Sequence, residues 1–327
     1  MKDRILELLR QESGYLSGQE MSTLLGVSRA AVWKAVEALR KEGYTIDSAP
    51  NRGYHLDAPT GRLSAREIAA RLDGHPWAEL VQVLDSVDST NNLAKTLAAQ
   101  GAPAGTVIVA DSQTGGRGRM GRSFVSPPGV GVYLSVILRP EAPPEELMHL
   151  TCAVAEVLCD GIEVASGLRP GIKWTNDLVS GGRKLCGILT ELSLEAESGH
   201  VQYAVVGAGV NCDQTLSDFP PEIRDMAGSL SMLTGKAVSR NALAAEMIRA
   251  LSRLDGDLVE NRQEWMDRYR RDCVTIGRAV SVSRAGETRW GQAVDVDDRG
   301  ALLVDFGQGP EAVQSGEVSV RGMYGYV

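Results

Sequence analysis

The chain has few of the residues from which metal sites and disulfide frameworks are built. Its four histidines, His55, His75, His149 and His200, are scattered along 327 residues, so a zinc site is not expected. The five cysteines are odd in number and include no C-x-x-C pair. This usage favours a reducing compartment and predicts a cytoplasmic protein.

Long apolar runs and positive charge are also scarce. No run approaches the roughly twenty apolar residues of a membrane-spanning helix, so no membrane contact is expected. The first residues lead into an amphipathic helix rather than a secretion signal. The net charge of −8 disfavours non-specific nucleic-acid binding by the whole chain. Residues 1–56 do not share this negative charge, since they contain eight basic and seven acidic residues. The remainder of the chain contains 26 basic and 35 acidic residues.

The N-terminal segment has the pattern of a winged helix-turn-helix. Ser17–Glu20 form a capping box before a short helix that ends near Gly26. Ser28 then caps a second helix to about Lys41, and two short strands at 44–46 and 53–56 follow. A domain used only for protein contacts is the alternative. DNA binding is favoured by the side chains Ser28, Arg29, Trp33, Lys34 and Arg52, with Glu37 and Arg40 expected on the same exposed face.

The body of the chain alternates strand-like and helix-like runs, which predicts a mixed α/β domain. Strands are expected at 81–84, 106–111, 132–139, 184–194 and 201–210. Helices are expected at 64–72, 91–99, 145–160 and 239–258, the last extending toward Tyr269.

From residue 272 the pattern changes to short strands with glycine-marked turns, which predicts a small antiparallel β-barrel. Its strands are expected at 279–282, 288–294, 301–304 and 318–320. The fold class is therefore multidomain α/β, with an expected linker at Pro59–Gly61. The predicted domains are a winged helix-turn-helix (1–60), a central α/β domain (61–271) and a β-barrel (272–327).

The most informative segment is Gly115–Arg122, with the sequence G-G-R-G-R-M-G-R. Glycines allow a backbone to approach a ligand closely, and arginine forks match carboxylate and phosphate oxygens. The segment also satisfies the G-x-G-x-x-G pattern of dinucleotide-binding folds, but Ser123–Gly129 cannot start the helix that this motif requires. An anion-binding loop is therefore predicted, with a solvated surface loop as the alternative.

Three further polar segments accompany this loop. Asp85–Asn92 clusters hydroxyls and amides where a strand meets a helix, although Ser89 or Thr90 could serve only as the helix N-cap. Lys173–Leu178 places five functional side chains in a row. Arg183–Leu189 puts two cations at the start of an apolar strand, where a solvated pair is the ordinary explanation.

Together these segments indicate a site where a carboxylic acid attacks the α-phosphate of a nucleotide. Repulsion between two anions makes fixed cations necessary, usually with Mg²⁺. Asp177 could assist the metal or orient a cation. The candidate cations are Arg117, Arg119, Arg122 and Lys184.

Four motifs resemble, in order and spacing, those of bifunctional biotin protein ligases that also repress the biotin operon. They are G-R-G-R-M-G-R at 116–122, K-W-T-N-D-L at 173–178, R-K-L-C-G-I-L at 183–189 and G-A-G-V-N at 207–211. The resemblance covers essentially the whole chain. It implies that biotin and ATP–Mg²⁺ give biotinoyl-5′-AMP and pyrophosphate, after which a lysine of a biotin carboxyl carrier domain takes up the biotinoyl group.

By matching positions, the resemblance also implies roles for individual residues. The catalytic residues would be Lys184, Arg119 and Arg117. Mg²⁺ would accompany ATP, near Asp177, without a site built from protein alone. Biotin contacts would be Ser89, Thr90, Asn91, Gln113, Gly116, Arg117 and Lys184. Adenylate contacts would be Arg119, Arg122, Lys173, Trp174, Asn176, Asp177 and Asn211. The implied partners are the carrier domain of a biotin-dependent carboxylase, operator DNA, and a second copy of the chain once the adenylate is bound.

Some positions depart from the family pattern. Met120 occupies a loop position that is often cationic or polar, and Thr175 replaces the usual proline. Residues 213–230 contain no tryptophan, so an aromatic lid over the adenylate is in doubt. Cys186 is predicted to be a buried strand residue rather than a nucleophile. A lipoate ligase and a non-catalytic biotin sensor are the alternative functions. A winged helix is not expected of the former, and loss of Lys184 or the loop arginines would mark the latter.

Overall fold

The computed structural model describes residues 1–12, 14–41, 44, 46–50, 52–56, 62–195, 197–284, 287–314 and 319–322. The chain divides into two compact units, Met1–Arg62 and Leu63–Val327. The linker expected at Pro59–Gly61 lies outside the described residues. Within the described part of the chain, no helix is both long and apolar enough to cross a membrane.

The first unit has the predicted winged helix-turn-helix order. Helices α1 (Lys2–Gln11), α2 (Gly18–Leu25) and α3 (Arg29–Lys41) are followed by the antiparallel strands β1 (Ile46–Ala49) and β2 (Gly53–Leu56). The capping box forms as expected: Ser17 Oγ accepts from Glu20 N, and the Glu20 carboxylate accepts from Ser17 N. Ser28 Oγ accepts from Ala31 N at the start of α3.

Apolar spacing explains how these helices pack. Val32, Val36 and Leu39 lie on one face of α3 and are fully buried, in one cluster with Ile5 of α1. The opposite face of α3 stays exposed. The sequence pattern thus determines both the core and the free surface of this unit.

A seven-stranded sheet forms the centre of the second unit. Its order is β3-β4-β5-β9-β8-β7-β6, with one parallel pair, β3 and β4, and antiparallel pairs elsewhere. Every residue of β4 and β5 is buried, which fits their unbroken apolar sequences. The strands are β3 (Val81–Leu84), β4 (Val107–Ala110), β5 (Gly131–Leu138), β6 (Gly171–Lys173), β7 (Asp177–Ser180), β8 (Arg183–Leu194) and β9 (Val201–Asn211).

Strands β6 and β7 were not predicted, because the polar segment that joins them has no alternating apolar pattern. They form a tight hairpin in which Lys173 pairs with Asp177. The hairpin places residues 173–177 at the end of the sheet next to β8.

The helices of the second unit confirm two predictions and correct two. They are α4 (Ala65–Leu72), α5 (Thr90–Ala99), α6 (Leu150–Ser166), α7 (Leu230–Thr234), α8 (Arg240–Ser252) and α9 (Arg262–Asp272). The single helix predicted from 239 toward Tyr269 is wrong: turns containing Gly256, at φ 83°, separate α8 from α9. The helix predicted at 145–160 begins late, after a 3₁₀ turn at Pro144–Leu147, and continues to a left-handed Gly167.

The C-terminal part is a five-stranded antiparallel sheet. Its strands are β10 (Ala279–Arg284), β11 (Glu287–Val296), β12 (Leu302–Asp305), β13 (Pro310–Val313) and β14 (Ser319–Gly322), in the order β13-β12-β11-β10-β14. Among the described residues the ladder stays open between β13 and β14, so a closed barrel stays a prediction. The sheet's inward residues, such as Val280 and Ala293, belong to the same apolar cluster as Leu150 of α6.

Candidate functional site

The Gly/Arg loop leaves the central sheet after β4 and returns to it as β5. Gly118 N donates to Arg122 O at 2.7 Å and Phe124 N donates to Gly116 O at 2.9 Å, so the loop folds back on itself. A Cβ at Gly116 would lie 2.3 Å from Phe124 O, which explains the glycine. Met120 at the tip has φ 55° and is exposed. All residues between the loop and β5 are described and contain no α-helix, which excludes the dinucleotide motif.

Three glycines of β8 and β9 lie beneath the loop. A Cβ at Gly207 would lie 2.0 Å from Asn91 Oδ1, and one at Gly209 would lie 2.5 Å from the Phe124 ring. At Gly187 the distance to the same ring would be 3.1 Å. The side chains of Asn91 and Phe124 therefore rest directly on the sheet backbone, and the G-A-G-V-N motif has a steric explanation.

A cavity of about 460 Å³ opens over these glycines, within the size range of ligand sites. Two residues of the predicted site, Gly116 and Asn211, do not line it. It is lined by all the others in the body of the chain: Ser89, Thr90, Asn91, Gln113, Arg117, Arg119, Arg122, Lys173, Trp174, Asn176, Asp177 and Lys184. The four separate sequence segments thus meet at one place.

Asn211 is buried at the end of β9 and supports the wall of the cavity from behind. Its Nδ2 donates to Gly228 O at 2.9 Å, and its Oδ1 accepts from Gln214 Nε2 at 3.1 Å. The segment it holds runs beside β8, where Lys184 N donates to Met226 O at 2.7 Å. A direct contact between Asn211 and a nucleotide base stays a prediction.

Positive charge is concentrated along the cavity, whose cations are Arg117, Arg119, Arg122, Lys173 and Lys184. Among the lining residues, all of which the structure describes, Asp177 carries the only carboxylate. Lys184 Nζ lies 2.6 Å from Asp177 Oδ1, and Arg119 donates to Asn176 Oδ1 at 3.0 Å. Burial lowers the pKa of Arg119, and the nearby Asp177 carboxylate opposes this effect. The guanidinium stays charged at neutral pH, because its ordinary pKa is very high. This part of the cavity suits a ligand with several anionic oxygens.

The wall formed by the start of α5 is neutral and rich in hydrogen-bonding groups. Thr90 N and Thr90 Oγ1 both donate to Gln113 Oε1, at 2.9 and 3.1 Å, and Ser135 Oγ lies 2.8 Å from Thr90 Oγ1. Ser89 occupies the N-cap position of α5 but makes no capping hydrogen bond. Helix capping therefore does not explain the hydroxyls of this segment.

Arg117 lies beside this neutral wall rather than beside Lys184. Its guanidinium donates to Asn92 Oδ1 at 2.9 Å and pairs with Glu191 at 3.2 Å. Glu191 also accepts from Lys95 and Asn91. Burial alone would raise the pKa of Glu191, but the hydrogen bonds of Lys95 and Asn91 outweigh it and lower the pKa, so the carboxylate is ionised at neutral pH.

The residues at or next to the cavity that were not predicted from sequence include Phe124, Ser135, Glu191 and Met226. Phe124 and Met226 line it directly, whereas Ser135 and Glu191 hold residues that do. The three strand glycines could have indicated Phe124 from the sequence, because glycines in a strand imply that a bulky group lies close to the sheet. Ser135 and Glu191 carried no such sign, since single polar residues occur within many strands.

Cys186 is fully buried on β8 and does not line the cavity. Burial raises the pKa of its thiol to about 12, so the thiolate is not populated at neutral pH. The prediction of a buried strand residue is confirmed.

In the first unit, the predicted DNA-binding residues Ser28, Arg29, Trp33, Lys34 and Arg52 are all exposed. Trp33 is 54% exposed, which is unusual for a tryptophan in a small folded unit. Arg52 lies 4.2 Å from the ring centre of Tyr15, so the wing arginine is oriented by stacking. Arg40, expected on the exposed face, is instead half-buried and donates to Ile46 O, because it anchors the hairpin to α3.

Comparisons with known proteins agree with this architecture. Residues 83–211 match the biotin/lipoate A/B protein ligase family, residues 2–55 match a helix-turn-helix domain, and residues 275–321 match the biotin protein ligase C-terminal domain. These matches define the class as a biotin/lipoate-type protein ligase with an N-terminal helix-turn-helix.

Similarity to individual proteins is more specific. The bifunctional ligase/repressor BirA of Bacillus subtilis is 35% identical, with 98% of each chain covered. BirA of Escherichia coli is 30% identical, covering 98% of this chain and 99% of that protein. A biotin protein ligase from Aquifex aeolicus, solved with biotin and ATP, is 27% identical with a TM-score of 0.61, over 74% of this chain and 98% of that one. The chain belongs to the family of bifunctional biotin ligase/repressor proteins.

Proposed function

We propose that this chain activates biotin with ATP and transfers it to a lysine of a carrier protein, and that it also represses transcription in response to biotin. One observation carries the proposal: a single cavity has a neutral wall of hydroxyls and amides and a region of clustered cations. Biotin offers a neutral cyclic urea at one end and a carboxylate at the other, and ATP brings the phosphates. The two kinds of lining match these two kinds of group.

In the first step, a biotin carboxylate oxygen attacks the α-phosphorus of ATP and pyrophosphate leaves with its bonding electrons. Lys184 and Arg119 stabilise the negative charge that develops on the phosphoryl oxygens. In the second step, a carrier lysine amine attacks the carbonyl carbon of the mixed anhydride. AMP leaves, and the amine loses a proton.

The proposal extends to the other predicted site residues, most of which line the cavity. Ser89, Thr90, Asn91, Gln113 and the Arg117 segment, shaped by Gly116, contact the urea end of biotin. The adenylate is held by Arg119, Arg122, Lys173, Trp174, Asn176 and Asp177, with Asn211 supporting the segment beside them. An acyl-adenylate hydrolyses readily, so closure of the Gly/Arg loop over it would exclude water.

Asp177 fits a Mg²⁺ ion that arrives with ATP. Mg²⁺ bound to nucleotides is commonly held by one or two carboxylates together with the phosphates, and Asp177 is the one carboxylate of the described lining. The ion would neutralise phosphate charge. In the structure Lys184 pairs with the Asp177 carboxylate. If the ion bound this carboxylate, Lys184 would become available to the ligand.

The partners follow from the same assignment. We propose that residues 1–60 bind operator DNA through α3 and the β1–β2 wing, that 61–271 carry out the ligation, and that 272–327 complete the catalytic unit. A carboxyl carrier domain is the acceptor, and the adenylate-bound chain forms a homodimer that recognises a two-fold operator. Five free cysteines, all buried, support a reducing compartment such as the cytoplasm.

The test is pyrophosphate release by the purified chain with ATP–Mg²⁺ and either biotin or lipoate, followed by mass spectrometry of an added carrier domain. We expect biotin-dependent release and a carrier lysine modified with biotin. Release with lipoate in place of biotin would support the lipoate-ligase alternative. A folded chain that binds biotin but releases no pyrophosphate would be a sensor, and the catalytic assignments would be withdrawn.

A further inference from the structure

The backbone of Lys184 is held by a segment that lies far from it in the sequence. On one side Lys184 pairs with β7, and the register between β8 and β9 on the other side begins at Cys186. Beside Lys184, residues 226–228 take the place of β9. Lys184 N donates to Met226 O at 2.7 Å, and Lys184 O accepts from Gly228 N at 3.0 Å. The backbone position of Lys184 therefore depends on this docked segment.

Arg183, the preceding residue of β8, anchors the same segment through its side chain. One nitrogen, Nη1, donates to Arg224 O at 2.7 Å and to Ala227 O at 2.9 Å. The two carbonyls lie in and at the end of a helical turn, in which Ala227 N donates to Ile223 O. A basic side chain commonly bonds the last carbonyls of such a turn. Arg183 thus does more than a solvated cation at a strand entrance.

The stem of Arg183 also lies against this segment. A Cβ at Gly228 would lie 3.0 Å from Arg183 Cβ, so the glycine allows the two backbones to approach. The segment contributes Met226 to the cavity lining, whereas Arg183 itself does not line the cavity. An effect of Arg183 on a ligand must therefore pass through residues 224–228 or through Lys184.

We propose that Arg183 is a positioning residue for adenylate formation. It holds residues 224–228 against β8, and this docked segment keeps the backbone of Lys184 in the place from which the ammonium group reaches the phosphoryl oxygens. Arg183 acts on this end of the cavity and not on the neutral wall. The inference rests on the proposed function, in which Lys184 stabilises the charge that develops on those oxygens.

The first measurement is steady-state pyrophosphate release by the full chain with ATP–Mg²⁺ and biotin. In Arg183→Gln the turnover number should fall at least about tenfold, because small displacements of a charge-stabilising group are costly. The KM for biotin should change less than about threefold, since the neutral wall is untouched. Arg183→Lys should stay within about threefold of wild type, because both bonds come from one nitrogen and an ammonium group also has several donors.

The second measurement is hydrogen exchange, which reports on the segment without any catalysis. The amides of Lys184 and Gly228 form the two bonds between β8 and the segment. In Arg183→Gln both should exchange at least about tenfold faster than in wild type, because local opening exposes them. Mass spectrometry of peptides that contain these residues gives the rates.

Arg224→Gln is the matched control. It removes a positive charge from the same segment, but Arg224 bonds within the segment, through Nε to Phe219 O at 2.9 Å, and its side chain is exposed. Turnover and Lys184 exchange should both stay within about threefold of wild type in this variant. Gly228→Ala approaches the contact from the other side and should lower turnover about threefold, because the new methyl group crowds the Arg183 stem. It tests the inference even if Arg183→Gln does not fold.

The outcomes are distinct. Lower turnover in Arg183→Gln with unchanged exchange of Lys184 would show that the segment is not the link, and the inference would be overturned. An equal loss in Arg224→Gln would overturn it in favour of a general effect of charge. Equal losses in turnover and in biotin affinity would make Arg183 a structural residue only. If the wild-type chain releases no pyrophosphate, the proposed function fails first and this inference fails with it.

Discussion

Lys184 and Asp177 form an ion pair, with Nζ and Oδ1 2.6 Å apart, at the point where β7 and β8 lie side by side in the cavity wall. Both side chains are less than one-third exposed. The pair joins two motifs that are separate in sequence. Asp177 carries the only carboxylate of the described lining, and it offsets the charge of Lys184 before a ligand binds, as Glu191 behind the lining does for Arg117.

Replacing Lys184 with glutamine should reduce biotin-dependent pyrophosphate release by at least about 100-fold, because a fixed positive charge is lost where phosphoryl charge develops. The turnover number should fall more than the KM for biotin rises, since the neutral wall is untouched. Lys236→Gln, at an exposed position outside the cavity, is the control and should match wild type. Equal activity in the two variants would remove Lys184 from the mechanism.

Replacing Arg119 with glycine should allow the adenylate to escape. Arg119 links the loop to the opposite wall through Asn176, so its loss should leave the loop open over the intermediate. We expect free biotinoyl-5′-AMP in solution and biotin on lysines of unrelated proteins, measured by chromatography and mass spectrometry. A carrier domain lacking its target lysine serves as the control acceptor. Retained intermediate and unchanged carrier selectivity would defeat the idea.

Much of this site could be predicted because its chemistry is local in the sequence. The loop arginines, the 173–178 row and Lys184 are adjacent residues of unusual type, and each motif remains intact in the structure. The winged helix-turn-helix unit could be predicted equally well, because capping residues and apolar spacing determine its helices directly.

What could not be predicted depends on contacts distant in sequence. Ser135 and Glu191 acquire their roles only when β5 and β8 bring them to Asn91, 44 and 100 residues away. The hairpin of β6 and β7 was missed for a similar reason. Val274 N donates to Ile172 O, so residues far along the chain support a segment with weak strand propensity.

Replacing Gly207 with alanine should destabilise the second unit and weaken biotin binding together. The added Cβ would lie 2.0 Å from Asn91 Oδ1, which cannot move without leaving Ser135. We expect a loss of about 2 kcal/mol in the free energy of unfolding, typical of overpacking. In Gly115→Ala the new methyl would meet Asp88 O at an ordinary 3.4 Å, so urea unfolding of that variant should be close to wild type. Similar midpoints for both variants would contradict the steric explanation.

Replacing Lys34 with glutamine should weaken DNA binding without affecting ligation. Lys34 is exposed on α3, where a phosphate contact would release about one counterion. On DNA selected by the wild-type chain from a randomised pool with biotin and ATP present, the salt dependence of binding should decrease in slope by about one. Pyrophosphate release should stay the same. An unchanged slope would mean that Lys34 makes no phosphate contact.

Three arginines hold Asp160 of α6 and thereby tie α6 to the helices beside it. Its carboxylate accepts from Arg169 at 2.8 Å and from Arg253 and Arg268 at 2.6 Å each. Burial alone would raise the pKa of Asp160, but these three hydrogen bonds outweigh it and lower the pKa to about 2. Neighbouring Glu156 is fully buried, and there burial dominates and raises the pKa.

The lowered pKa gives Asp160 a defined effect on stability. A carboxylate whose folded pKa is depressed stabilises the fold above its ordinary pKa, and that contribution is lost as the pH falls from about 4 toward 2. Asp160→Asn should therefore reduce the free energy of unfolding at pH 7 by about 2 kcal/mol. The difference from wild type should shrink across that acidic window, as measured by urea unfolding at pH 7, 4 and 2.5. Asp255→Asn, at an exposed position, should show little difference at any pH. A deficit in Asp160→Asn that is the same at all three pH values would mean that the carboxylate acts through packing rather than through its charge.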